Sequence, residues 1–181
     1  MNKKTVRNYQ IFSIIFTFVL GTLLHFTYKL SGENKFVAIF SSINESVWEH
    51  LKLLYFPMLL TTIIGYFYIG KNIPNFLCAK TLGIFSSLIF TVIFFYTYTG
   101  VLGRNIAIID ISSFFIAAIL GEYISYKLII KNFKCNNKIA IILLIILFIC
   151  FIIFTYFTPN FGIFKDPLTR QFLQLTLNLL K

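Results

Sequence analysis

The chain has 181 residues, 58% of them hydrophobic and 12% charged, with a formal net charge of +10 and a mean hydropathy of +0.84. A soluble domain carries about 25% charged residues, so this composition excludes an ordinary water-soluble protein. The cations lie in short stretches between apolar runs rather than on one basic face, which excludes nucleic acid as the partner and leaves a lipid bilayer.

Residues 1–10 are short and basic, with Lys3, Lys4 and Arg7. Residues 9–28 carry no Lys, Arg, Asp or Glu, and about 20 residues at 1.5 Å each cross a ~30 Å hydrocarbon core. The run exceeds the ~7–15 residues of a signal-peptide core and no small-x-small site follows, so a retained first span is expected. Residues 29–52 are polar at both ends, with an apolar middle at 36–40 too short to cross. That middle is expected to lie in the interface or to re-enter. Residues 53–70 read as a second span with Pro57 in its first turns, followed by a short loop with Pro74. Residues 81–102 read as the third span and 105–126 as the fourth, which alone among the spans carries acids, Asp110 and Glu122. A basic loop at 127–138 leads to a fifth span at 139–157. In the tail, Asp166-Pro167 reads as a helix start, with Asp as N-cap and Pro at the first helical position. Phe172, Leu175 and Leu179 follow at helical spacing. The expected fold is an all-α polytopic membrane helix bundle, one integral domain over residues 1–181. It has five transmembrane helices plus short interfacial helices.

The lysines and arginines orient the bundle. With the N-terminus cytoplasmic, the inner side carries Lys3, Lys4, Arg7, Lys71, Lys80, Lys127, Lys131, Lys134 and Lys138. The outer side carries Lys29, Lys35, Lys52, Arg104, Lys165, Arg170 and Lys181, so the C-terminus is expected outside the cell membrane. Cys78, Cys135 and Cys150 are odd in number and lack Cys-x-x-Cys spacing, so they are expected to be reduced and structural.

In this topology the polar groups gather at the external face: His25, Glu45, Glu49 and His50, then Tyr96, Tyr98 and Asp110, and finally Asp166. Residues 41–52 are the densest stretch, with two of the six acids, one of the two histidines and the only tryptophan, Trp48. Glu45 and Glu49 share a face if their segment is helical, and a bound cation would relieve their repulsion. Glu45, Glu49 and His50 would be its ligands, with His25 able to join. A plainer reading has Ser42-x-x-Glu45 as a capping box, Glu49 paired with Lys52, and Trp48 as an interface anchor. Asp110 is expected about 1.5 turns inside its helix. A charged carboxylate there costs at least ~2.5–3.5 kcal/mol unless it is paired or faces a cavity. Its partner would be Arg104, Lys29 or His25. Glu122 lies about 18 Å further along the same helix and belongs to an inner site. It would be protonated, paired with Lys80 or Lys127, or snorkelling to the inner surface, the last being preferred. Tyr66, Tyr68, Tyr96, Tyr98, Tyr123 and Tyr126 read as an aromatic belt. Motifs for phosphate cradling, zincins or the nucleophile elbow do not occur.

Four stretches carry a family resemblance: Gly21-Thr-Leu-Leu-His25-Phe26; Asn44-Glu-Ser-Val-Trp-Glu-His-Leu-Lys52; Tyr98-Thr-Gly100; and Phe164-Lys-Asp-Pro-Leu-Thr169. They resemble a bacterial family of small multi-pass membrane proteins, numbered six-five-one-two among the domains of unknown function. The likeness runs from the first span to the tail and is most specific at residues 44–52. The chain departs from the pattern after Thr169, where Arg170-Gln-Phe172 replace glycines and a tyrosine, so no role carries over to the tail. The resemblance implies an integral membrane protein and no particular activity.

Three functions fit these residues. The first is a non-enzymatic membrane protein binding a small ligand or cation, a divalent cation included, at its external face through His25, Glu45, Trp48, Glu49, His50 and Asp110. It would serve as a transport component and need a homo-oligomer to form a pathway. The second is a membrane-embedded hydrolase or transferase using a Glu/His or metal site on a lipid-linked substrate. The third is a structural partner of another membrane protein.

Overall fold

The computed structural model describes residues 2–169. Five helices are long and apolar enough to cross a bilayer: α1 (Lys3–Leu30), α3 (Val47–Tyr68), α4 (Phe76–Leu102), α5 (Ala107–Ile130) and α6 (Asn137–Tyr156). Between α1 and α3 lies the short helix α2 (Lys35–Ala38), and single 3₁₀ turns occur at Gly70–Asn72 and Gly162–Phe164. No strand occurs among the described residues.

The helices run past the apolar windows because their polar first turns are capped. Asn2 accepts from Lys4 N at 2.9 Å, Ser46 from Glu49 N at 3.4 Å, and Asn136 from Lys138 N at 2.8 Å. Gly103 ends α4 in the left-handed region at φ 70°, which glycine adopts without Cβ strain. Of the expected tail helix only residues 166–169 are described, and they form a turn in which Asp166 Oδ1 accepts from Leu168 N at 2.7 Å and Thr169 N at 3.1 Å. The positions Phe172, Leu175 and Leu179 lie outside the described residues.

The α4–α5 hairpin packs backbone to backbone. Ser87 Oγ donates to Ala117 O at 2.8 Å, and a Cβ on Gly83 would stand 2.5 Å from Gly121 O. Small residues let helices approach this closely when hydrocarbon surrounds them. The central core joins Leu54, Met58, Ile84, Leu88, Ala117 and Ala118, with Tyr55 and Phe151.

Several expectations need correction. Helix α3 begins at Val47, so Pro57 lies near its middle rather than in its first turns. Proline has no N–H for the carbonyl four residues back, and that carbonyl, Leu53 O, faces Gly21 of α1, where a Cβ would stand 2.6 Å away. Lys52 and Lys80 are fully buried and are not loop cations. Glu122 does not snorkel: it is fully buried against Lys80 Nζ, at 2.6 Å from each carboxylate oxygen. Cys78 and Cys135 are not free thiols but form a disulfide between the first turn of α4 and the loop before α6. A sequence separation of 57 hid the pair, because two separate connections return to the same rim of the bundle.

Candidate functional site

The rim built by the α1–α3 connection, the α4–α5 turn and the segment after α6 holds most of the singled-out polar residues. The connection is tied down before it delivers any of them. Ser41 donates to Leu24 O and accepts from Tyr28 N at 2.9 Å, which fastens the loop to α1. A buried ion pair fastens it to α3. Lys52 Nζ is 2.5 Å from Glu49 Oε2, donates to Ala38 O at 2.8 Å, and reaches Thr155 Oγ1 of α6 at 3.1 Å. Glu49 Oε2 also accepts from Ile43 N at 3.0 Å. These bonds satisfy both buried charges, as burial requires. The plainer reading of Glu49 as a partner of Lys52 is the one the geometry adopts. Ser42-x-x-Glu45 is not a capping box: Ser42 Oγ donates to Asn44 O at 2.5 Å, and Ser46 is the cap.

Glu45 therefore sits just before α3, and Glu49 points elsewhere. The two do not share a face and are not joint ligands. Glu45 meets two histidines instead. His50 Nε2 is 3.4 Å from Glu45 Oε2, and His25 Nε2 is 3.9 Å from Glu45 Oε1. The imidazole centroids are 5.3 Å apart. One ligand atom from each of the three residues falls within 4.8 Å of the others, so the group can hold a metal ion. Around a tetrahedral ion with bonds of about 2.0–2.1 Å, ligand atoms stand about 3.3 Å apart. The His50–Glu45 spacing already meets that figure, and His25 stands 3.9 Å from the other carboxylate oxygen.

The histidines are oriented for this. His50 Nδ1 donates to Ser46 O at 2.9 Å, which orients the ring with Nε2 towards Glu45. His25 Nδ1 is buried with no partner among the described residues. The hydrogen bond with His50 holds the Glu45 carboxyl below its ordinary value of 4.5, against a smaller desolvation effect, and the charges of His50, His25 and Lys29 add to it. Its backbone N donates to Asp166 Oδ2 at 3.3 Å, so the segment after α6 also steadies it.

A cavity of about 420 Å³ opens beside the three residues, lined by Gly21, Thr22 and Phe26 of α1, Leu53 and Leu54 of α3, Thr91 and Phe95 of α4, and Asp110, Ile111 and Phe114 of α5. Pro167 and Leu168 complete its wall. Asp110 is in the first turn of α5, shallower than expected, and its partner is not a cation: the Tyr98 hydroxyl donates to Oδ1. Tyr98 also accepts from Ile106 N at 3.3 Å, so it spans the α4–α5 turn rather than belonging only to an aromatic belt. Trp48 does not line the cavity. It packs instead on Phe151, Phe154 and Phe164, with centroids at 4.8, 5.5 and 5.0 Å.

Glu122 belongs to a second polar cluster near the other rim. Lys80 Nζ reaches Gln10 Oε1 and Ser13 Oγ, each at 3.3 Å, as well as Glu122. Ser13 Oγ is 2.7 Å from both Thr61 Oγ1 and Glu122 Oε1, and Gln10 Nε2 donates to Ser125 Oγ at 3.1 Å. Four helices thus meet on one buried pair. Gln10 and Ser13 were missed as site-building residues. The visible signal was Gln10, Ser13 and Thr17 on one stripe of an otherwise apolar helix.

Comparison with known proteins adds the family. The family model of DUF6512, described as a family of unknown function, matches residues 1–173. The chain belongs to this family. No curated protein and no solved structure matches.

Proposed function

We propose that this DUF6512 member is an integral membrane protein that binds a divalent transition-metal cation at its external face, between His25, Glu45 and His50. The supporting observation is the convergence of two imidazoles and one carboxylate, one ligand atom of each within 4.8 Å of the others, contributed by α1, the connecting loop and α3. Imidazole and carboxylate together suit zinc and its neighbours.

The bland alternative, a mere His–Glu salt bridge, leaves the adjoining cavity without a use. The transport reading gains less support. Between this site and the Lys80–Glu122 cluster lie Leu54, Met58, Ile84, Leu88 and Ala117, packed in one apolar core. Among the described residues this core separates the two charged clusters, so conduction would need further copies or another membrane protein.

Metal analysis of the detergent-purified protein after zinc loading tests the proposal. About one zinc per chain is expected, lost in Glu45→Gln and His50→Ala but kept in Asp110→Asn. Equal zinc in wild type and the His25→Ala/Glu45→Gln/His50→Ala variant would refute it.

The external placement follows the loop cations. Burial of Lys52 and Lys80 removes one cation from each side and leaves the balance as it was. The Cys78–Cys135 bond argues the other way, since disulfides persist in oxidising compartments. Single cysteines at Lys35 and Arg104, both exposed and in a background lacking the native cysteines, are expected to react with an impermeant maleimide from outside intact cells. Reaction only after lysis would reverse the orientation.

A further inference from the structure

The cavity beside the three ligands opens sideways. Thr22 and Phe26 of α1 and Ala107 and Ile111 of α5 line it, yet all four are exposed, with Phe26 at 53% and Ile111 at 58%. In a bilayer those outward surfaces of α1 and α5 meet lipid. The mouth between them therefore faces acyl chains as well as headgroups, and the walls inside are mostly apolar. About 420 Å³ is the size of a small-molecule site. A solute arriving from water has no need of such a side door; an amphipath already dissolved in the membrane does.

The polar residues inside match a reaction rather than storage. Structural zinc sites are closed by four protein ligands, whereas catalytic ones have three and leave a position for water. Here three ligands border the cavity, and Asp110 stands on its wall with Oδ1 held by Tyr98. From this geometry, and resting on the cation site proposed above, we infer that the protein is a metal-dependent hydrolase of acyl esters of membrane lipids.

The ester carbonyl enters from the α1–α5 mouth with its acyl chain trailing among Phe26, Ile111 and Phe114. A metal-bound water gives a proton to Asp110, and its oxygen bonds to the carbonyl carbon. The cation stabilises the resulting oxyanion. The carbon–alkoxy bond then breaks, Asp110 returns the proton to the departing alkoxide, and a carboxylic acid and an alcohol leave. One water is consumed and nothing is oxidised. Tyr98, bonded to Asp110, is a positioning residue.

The test uses zinc-loaded full-length protein in nanodiscs of phosphatidylglycerol and phosphatidylcholine, with released fatty acid measured by mass spectrometry. Zinc content is measured on the same samples. Zinc-dependent release is expected. Asp110→Asn is expected to lower it about 100- to 10,000-fold, the usual contribution of a general base, with zinc retained. Ala107→Trp, which narrows the mouth, is expected to slow release from nanodiscs more than hydrolysis of soluble p-nitrophenyl acetate. Bound zinc with no fatty acid released would overturn the hydrolase and leave the cation site standing. Absence of bound zinc would remove both. Release that survives Asp110→Asn at full rate, or zinc stripping, would also overturn it.

Discussion

The two polar clusters of this bundle differ in what they leave unsatisfied. Around Lys80 and Glu122, four helices supply donors and acceptors until both charges are bonded and fully buried. Around His25, Glu45 and His50 the groups are only half-buried, one ring nitrogen lacks a partner, and a cavity adjoins them. The first cluster uses up its groups on one another; the second leaves room for a ligand. Chemistry belongs where polar groups are held in place but not used up by each other.

Breaking the complete cluster gives the largest effect. Glu122→Gln or Lys80→Met strands a buried charge or its former partners, and a loss of about 3–5 kcal/mol is expected in detergent unfolding curves. The pair Lys80→Met with Glu122→Leu recovers most of it, because hydrocarbon of similar volume tolerates the site. Zinc binding by the double variant stays unchanged; a lost zinc site would mean that the clusters are coupled.

Next comes the buried pair beneath the open cluster. Lys52→Met frees the loop from Ala38 and Thr155 and leaves Glu49 alone. Zinc affinity is expected to fall about 10- to 100-fold, as for other outer partners of metal ligands. Titration with a fluorescent zinc competitor measures it. Unchanged affinity would show that Ser41 and Asp166 suffice to place Glu45.

The smallest effect is on the open cluster's own stability. Glu45→Gln removes a half-exposed ion pair and is expected to cost well under 1 kcal/mol. The folded Glu45 carboxyl titrates below 4.5, so its stabilisation is present above that pH and fades as pH falls through the lower folded value. The acid limb of the wild-type stability curve should therefore flatten slightly in Glu45→Gln. A large loss at neutral pH would move Glu45 from the ligand set to the frame.

Much of this was legible beforehand. Hydropathy runs announce the five long helices, since only an apolar stretch of that length can cross lipid. The gathering of His25, Glu45, His50 and Asp110 at one rim follows once alternate connections are placed on the same side. The division of labour among neighbours was not legible. Glu45 and Glu49 look equivalent at i, i+4, and one residue's choice of N-cap, Ser46 rather than Ser42, separates them. Lys52 and Lys80 look like loop cations because hydropathy cannot tell a charge in water from one that meets a carboxylate inside.

The amino-acid order by itself determined the number of long apolar helices, their rough limits and the rim where the ionisable groups collect, because these depend on local composition and connectivity. Only the tertiary structure decided which charges cancel each other, which cysteines meet, and which imidazoles face Glu45. Those outcomes depend on distances between helices far apart in the chain, and a few ångströms separate a buried ion pair from an open ligand set.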